Sequence, residues 1–441
     1  MKKLYFWSIT AALAGFLFGF DTVVISGAEQ KIQQLWGLSD VLHGFAIGAA
    51  LYGTVIGALI GGWPTERFGR KKTLFWIGLL YLVSAVFSAL APEVYSFIAA
   101  RFIGGLGVGI STVAAPLYIA EISPPDKRGR LAGMFQFNIV FGILVAFLSN
   151  SLISGLGETD WRWMLGVEAL PALIFTLLCL GIPESPRWLI GRKGNRGEGL
   201  RVLRLISPHS EPAEIAALAD DIEHHYGRGK VRPPFWTKNL KVPIALAFLI
   251  ALFNQLSGIN AILYFAPRIF EMTGLGAKAA LLQSVGIGLT NLVFTFVGLA
   301  LIDRLGRRTL LYLGSFGYIV SLSLVGWAFF TENYAIVPVC IFSFIAAHAI
   351  GQGAVIWVFI SEIFPNEHRA AGQSLGSFTH WIFAALLTTF FPKMVTAFHP
   401  GSVFLFFAAM MVLQLVWVKM MVPETKGVPL EELEEKLVQG A

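Results

Sequence analysis

The sequence predicts an all-α membrane protein whose twelve transmembrane helices fall into two six-helix bundles. Three observations carry that expectation. Hydrophobic residues make up 56% of the 441-residue chain and charged residues 14%, where a soluble domain would hold about 25% charged. The deficit comes in blocks of about 20 residues, each long enough to cross ~30 Å of hydrocarbon as a helix. Motifs of the first half also return, in order, in the second. Alternating ten-residue strands are absent, which excludes a membrane barrel.

In chain order the apolar blocks cover roughly 5–27, 43–62, 73–91, 96–120, 131–155, 163–182, 242–270, 279–302, 309–330, 336–360, 371–396 and 402–422. "MKK" before the first block has the look of a signal peptide. The block is longer than a signal core and eleven more follow, so it reads as a mature helix. Cys179 and Cys340 lie in separate spans, which points to no disulfide, metal site or thiol nucleophile.

The net charge of +6 is explained by topology. With the N-terminus inside, the outer side holds Lys31, Arg162, Arg268, Lys278 and Lys393, Arg101 falls within a span, and the rest of the 33 Lys and Arg are cytoplasmic. The positive-inside rule then places both termini in the cytoplasm of a multi-pass cell-membrane protein, with no nucleic-acid partner implied.

"ERFGRKK" at 66–72 returns as "DRLGRRT" at 303–309, "YIAEISPPDKRGR" at 118–130 as "FISEIFPNEHRAA" at 359–371, and "PESPR" at 183–187 as "PETKG" at 423–427. Three matches about 240 residues apart, between the same ordinal spans, describe a parallel six-plus-six repeat. The domains expected are a six-helix bundle over 1–183, a linker over 184–241, a second bundle over 242–422 and a short tail over 423–441. In the linker, "GEGLRVLRLIS" and "PAEIAALADDIEHHYG" space their aliphatic residues as short amphipathic helices. They read as a cytoplasmic latch rather than a plain solvated connection.

Two charges stand inside the spans. Asp21 lies in "FGFDTVVISG", at a cost of about 2.5–3.5 kcal/mol for an ionised Asp at the centre of a membrane helix. Counted from the outer helix ends at 1.5 Å per residue, Asp21 lies ~9 Å deep and Arg101 ~7.5 Å deep. Opposite charges at one depth, with almost no other charge inside the spans, are expected to face each other. The pair is either a static structural device or a proton site. Burial and the guanidinium pull the carboxyl in opposite directions, and only Asp21 titrates, because Arg stays charged.

"RFIGGLGVGISTVAAPLYIAEISPPDKRGR" (101–130), "PESPRW" (183–188), "DRLGRR" (303–308) and "PETKG" (423–427) resemble the sugar porters of the major facilitator superfamily over essentially the whole chain. The resemblance implies alternating access, in which two bundles rock around a central monosaccharide. It also implies symport, since proton-coupled members carry Asp at the position of Asp21 where many uniporters carry Asn. Gln136, Gln255, Asn260, Asn291, Trp357 and Trp381 match family sugar-site positions, and Phe18 matches an aromatic one. The amides supply the donors and acceptors that hydroxyls need in a dry pocket, with packing between helices as the plainer role for each.

Departures from the family narrow the sugar. Asn254 replaces a common Gln, Ile143 stands where the xylose symporter has Gln, and His348 and His380 occupy two pocket positions. Both histidines resemble animal fructose carriers, with a satisfied core histidine as the plainer role for each, whereas Trp357 is the glucose-type residue. The expectation is a hexose, fructose first.

Glu66, Arg67, Arg70, Glu121, Arg128, Glu184, Arg187, Asp303, Arg307, Glu362 and Arg369 stand at the cytoplasmic helix ends. As surface ion pairs each is worth about 0–1 kcal/mol. The resemblance makes them an inner gate, whose role rests on contacts that differ between two states.

The function expected is therefore a proton-coupled monosaccharide symporter, acting as a monomer and without a cofactor. The alternatives are a uniporter with a structural Asp21–Arg101 pair and a sugar sensor. A sensor would be expected to carry a long cytoplasmic tail, and after "PETKG" only "VPLEELEEKLVQGA" follows. No nucleophile–base set, Walker loop or metal-spaced cluster supports an enzyme.

Overall fold

The computed structural model describes residues 2–124, 128–208, 210–227, 234–365, 367–428, 432–433 and 437. Among them, 12 helices are long and apolar enough to span a membrane, and no strand occurs. They run Lys3–Gly27, Asp40–Ile60, Arg70–Leu90, Val94–Ile122, Gly133–Ile153, Asp160–Gly181, Lys238–Tyr264, Ala277–Leu305, Arg307–Phe330, Tyr334–Ile363, Arg369–Ala397 and Pro400–Met421. The predicted fold class is therefore the observed one, a multi-pass helical membrane protein.

Three spans are interrupted. The sixth breaks between Asp160–Gly166 and Ala169–Gly181, at Val167 and Glu168. The seventh consists of Lys241–Leu256 and Ile259–Tyr264, and the short helix Ala266–Glu271 follows it. The span breaks at Gly258, with φ +86, where a Cβ would stand 2.7 Å from the Phe407 ring. Only glycine meets both demands. The tenth breaks at Gly351, between Val337–Ile350 and Gln352–Ile363. Beside that break buried Gln352 donates to Gln414 Oε1 at 2.7 Å, and Gln414 Nε2 donates to Ser315 Oγ at 2.7 Å. This amide chain ties the tenth span to the twelfth and the ninth.

The chain divides into two compact units. One comprises residues 1–22, 53–146 and 165–231. Its core includes Leu4, Trp7, Leu17, Leu74, Tyr118 and Phe175. Within it the first and fifth spans meet backbone to backbone. A Cβ on Gly19 would lie 1.9 Å from Ile139 O, and one on Gly142 would lie 2.1 Å from Phe16 O. Small residues permit such approach where lipid supplies no hydrophobic drive between helices.

The linker helices expected from sequence form at Arg196–Ile206 and Pro212–Gly227, after a short helix Pro186–Gly191. Asn195 caps the second of the three by accepting the Glu198 N–H at 3.2 Å. Ile190, Leu203, Ile215, Ala219 and Ile222 bury their side chains between them, which is what the aliphatic spacing dictates. Arg196 adds ion pairs to Asp220 at 2.7 Å and Glu223 at 2.8 Å.

The other unit comprises residues 23–52, 147–164 and 232–441. In it the helix Glu29–Trp36 and the start of the second span pack on the seventh and eleventh spans. Thr396 donates to Asp40 at 2.6 Å, and the Tyr52 and Thr389 hydroxyls are 3.0 Å apart.

Candidate functional site

The fourth span, capped at its start by Glu93, whose carboxylate accepts the Tyr95 and Ser96 N–H groups at 2.9 and 2.8 Å, carries Arg101 to the first span. Arg101 Nη1 donates to Asp21 Oδ1 at 2.6 Å, and Nη2 donates to Asp21 O at 2.9 Å. Both residues are 1% exposed. The approach depends on Gly104, one turn further on, where a Cβ would stand 2.4 Å from Ser84 Oγ and 3.6 Å from Asp21 Oδ1.

The pair is not isolated, which corrects the expectation of almost no other buried charge. Glu168, also 1% exposed, sits at the break in the sixth span with its carboxyl within hydrogen-bonding reach of Asp21. Buried Tyr81 of the third span lies in the field of both carboxyls. The sequence signal was present in "MLGVEALPAL", one acidic residue in an apolar run. Two carboxyls and one guanidinium closed off from water are electrically neutral only when one proton is bound.

Phe18 and Gln136, both half-buried, and buried Ile143 flank the seam between the first and fifth spans. In the other unit the residues of the broken seventh span meet those of the eleventh. Gln255, fully buried, donates from Nε2 to Asn254 Oδ1 at 2.9 Å, and the same nitrogen lies 3.2 Å from His380. Its Oε1 accepts Asn260 Nδ2 at 2.7 Å. The His380 ring packs 5.2 Å from Trp357 and 4.6 Å from Trp381. Five predicted residues thus gather around Gln255. Gly258 lets the helix end at Leu256 and restart at Ile259, so that the Gln255 and Asn260 amides reach one another.

His348 lies in the neighbourhood of His380. Its Nδ1 lies 2.6 Å from the Tyr318 hydroxyl. Asn291 is buried in the eighth span, and its Oδ1 accepts the Thr295 hydroxyl of the next turn at 3.5 Å, a local bond that does not join it to the Gln255 group.

The helix-end charges form two copies of one arrangement. In the first, Arg70 donates to both oxygens of Glu121 at 2.8 Å and to Glu66 at 2.7 Å, while its backbone N–H reaches Glu184 at 2.8 Å. In the second, Arg307 donates to Glu362 at 3.0 and 2.7 Å and to Asp303 at 3.1 Å, and its backbone N–H reaches Glu424 at 2.9 Å. Arg70 is 1% exposed, so its two bonds to Glu121 form a buried bidentate pair rather than a surface contact, whereas Glu66 is half exposed.

Glu184 and Glu424 cap the N-termini of the third and ninth spans, where exposed N–H groups and the helix dipole favour an anion. Burial pushes the Glu184 carboxyl up, with the backbone N–H groups opposing it. Glu424 went unrecognised in the sequence although the match of "PESPR" to "PETKG" pointed to it. Arg369 instead donates to Ser361 O at 2.7 Å. Arg67 is exposed and Arg187 half-buried, and the Arg128 side chain lies outside the described residues.

Both caps depend on glycines at φ +91, Gly69 and Gly306. A Cβ there would lie 2.3 Å from Glu184 Oε2 and 2.4 Å from Glu424 Oε2. Gly69→Ala and Gly306→Ala are each expected to cost about 1–2 kcal/mol from the left-handed backbone alone, read as a lower melting temperature of the purified protein.

A further buried cluster lies at the end of the spans opposite the termini. Glu29 accepts Arg268 Nε at 2.9 Å and Nη2 at 2.7 Å, and the His43 ring at 2.7 Å. Arg268 also donates to Gln33 at 2.6 Å. Spacing in the sequence gave no hint of it, because Glu29 and Arg268 come from distant segments.

The family model for "Sugar (and other) transporter" matches residues 7–437. The chain belongs to this sugar transporter family. It is therefore a membrane transporter and not an enzyme. Among characterised members, the arabinose–proton symporter of Bacillus subtilis is 35% identical over 436 residues, covering 97% of this chain and 94% of that protein. The D-xylose–proton symporter of Escherichia coli is 34% identical, covering 98% of this chain and 95% of its own length. The galactose–proton symporter of E. coli is 33% identical, covering 99% and 95%.

Among solved members, the inward-open xylose transporter of E. coli superposes with TM-score 0.87 at 32% identity, covering 98% of this chain and 99% of that one. The same transporter bound to 6-bromo-6-deoxy-D-glucose superposes with TM-score 0.79 at 33% identity, covering 99% of each.

Proposed function

We propose that the chain is a proton-coupled symporter that imports a monosaccharide by alternating access across a cell membrane, as a monomer with both termini cytoplasmic. The observation that carries this reading is the closed cluster of Asp21, Arg101 and Glu168, in a chain whose relatives along its whole length are sugar–proton symporters. The sugar is held by the Gln255 group, with Asn291 of the eighth span as a further ligand. The two moving bodies are the sequence halves, 1–183 and 242–422, with the 184–241 helices as a latch. The Arg70 and Arg307 clusters form the cytoplasmic gate.

The Glu29–Arg268 bonds join segments of both halves, so a rocking motion that opens that end must break them.

The histidines favour fructose, whereas the relatives' names carry arabinose, xylose and galactose. Uptake of each labelled sugar, and of glucose, into proteoliposomes with and without an inward proton gradient tests both points. Accumulation above equilibrium only with the gradient is expected. Equilibration that ignores the gradient would make the protein a uniporter, and binding without uptake would make it a sensor.

A further inference from the structure

We infer that Tyr318 is a positioning residue that sets sugar selectivity by fixing which nitrogen of His348 carries the proton. The inference rests on the placement of His348 in the sugar site. Tyr318 is in the ninth span, 0% exposed, with its hydroxyl 2.6 Å from His348 Nδ1. The Phe344 ring, 5.2 Å from the Tyr318 ring, holds the phenol from another side.

The Ser257 hydroxyl also reaches the Tyr318 phenol but donates its own proton to Asn254 O at 2.6 Å. A neutral imidazole nitrogen is a better acceptor than a hydroxyl oxygen, so the phenol donates and Nδ1 accepts. The ring is then the tautomer with its proton on Nε2. Among the described residues no hydrogen bond to Nε2 is recorded, and His348 keeps part of its surface accessible. Nε2 faces Gly353, where a Cβ would stand 3.4 Å from it.

His348 lies in the last turn before the break at Gly351, and Trp357 lies beyond it on the other half of the same span. The N–H is thus a fixed donor at the hinge of a span that also carries the aromatic wall of the pocket. Its ligand is a sugar hydroxyl, which accepts the hydrogen bond. Without Tyr318 the ring can take either tautomer or turn, and the donor is lost for part of the time. A site built around one hydrogen bond discriminates against analogues lacking the matching hydroxyl. Tyr318 therefore acts on affinity and selectivity without touching sugar.

The test is uptake kinetics in proteoliposomes for wild type, Tyr318→Phe, His348→Phe and the double variant, with melting temperatures as the check on folding. Tyr318→Phe is expected to raise KM about 5–10-fold, the loss of one hydrogen bond, with the maximal rate kept. Discrimination between the transported sugar and its deoxy analogues is expected to shrink. The double variant is expected to match His348→Phe alone, because Tyr318 acts only through the ring. His348→Gln, which carries its own N–H, is expected to restore KM to within about twofold in the Tyr318→Phe background.

An unchanged KM in Tyr318→Phe beside a raised one in His348→Phe would overturn the positioning role and leave the sugar site standing. Effects that multiply in the double variant would also overturn it. An unchanged KM in His348→Phe would remove His348 from the site itself, and absence of uptake by wild type would overturn the symport reading.

Discussion

Asp21→Asn is expected to abolish sugar accumulation while leaving sugar exchange intact. A potential of 100 mV is worth about 2.3 kcal/mol per charge, which concentrates a neutral solute roughly 50-fold when one proton moves with it. In the variant the accumulation ratio falls to about 1. The reason is charge balance. Asp21, Glu168 and Arg101 are each sealed from water, and such a set returns to neutrality between half-cycles only by taking up one proton. With Asn at position 21, Glu168 and Arg101 neutralise each other and no proton is required.

Glu168→Gln leaves Asp21 and Arg101 balanced in the same way, so it is expected to uncouple transport too. Arg101→Ala is a different perturbation. It strands buried carboxyls without a counter-charge, which costs about 3–5 kcal/mol, and is expected to appear first as poor folding. Gradient-driven uptake and sugar counterflow, measured on the same proteoliposomes, separate these outcomes. Gradient-driven accumulation by Asp21→Asn at the wild-type level would remove the carboxyl from the coupling mechanism. Accumulation lost in Asp21→Asn but kept in Glu168→Gln would confine the proton to Asp21.

The features legible in the sequence are those that depend on composition along one helix. Span positions follow from apolar run length, and the repeat follows from matched motifs. Even the facing of Asp21 and Arg101 follows from counting depth along two helices. Gly258 was legible as a loosened point in "NQLSGIN" because glycine lowers the cost of leaving the helix.

The break at Gly351 was not legible. It depends on packing against Gly314, whose Cα would lie 2.7 Å from a Cβ there, and on the Gln352–Gln414–Ser315 chain from two other spans. Glu168 stood in "MLGVEALPAL" as a lone acidic residue much as Asp21 stands in its own run; what one helix could not show was the break at Val167 and Glu168 and the approach to Asp21. The Glu29, His43 and Arg268 cluster depends on tertiary contact alone, which no periodicity encodes. Depth can be counted along a helix, and it pairs two residues across helices only where few candidates share that depth.

Gln255→Leu is expected to raise the KM for sugar by about 10–100-fold, the effect of about 1–3 kcal/mol. Leu fills the volume but takes no hydrogen bond, so Asn254 Oδ1, Asn260 Nδ2 and His380 each lose a partner that now lies 2.7–3.2 Å away. Gln255 has both N–H groups and its carbonyl engaged by protein, which by itself suits a structural glue as well as a sugar ligand.

The two roles differ in what a substrate does. A glue residue lowers the melting temperature equally with and without sugar. A binding residue also removes most of the stabilisation that saturating sugar confers, because that shift scales with affinity. Asn291→Ala supplies the internal comparison. Its one recorded bond is local, at 3.5 Å, so any rise in KM there comes from lost sugar contact and not from collapse of the amide group. A raised KM in both variants, with the sugar-induced shift reduced in both, places the seventh and eighth spans around the substrate. A lower melting temperature in Gln255→Leu with KM and the sugar-induced shift unchanged would make the amide group a brace for the broken seventh helix, and the sugar would have to be sought elsewhere.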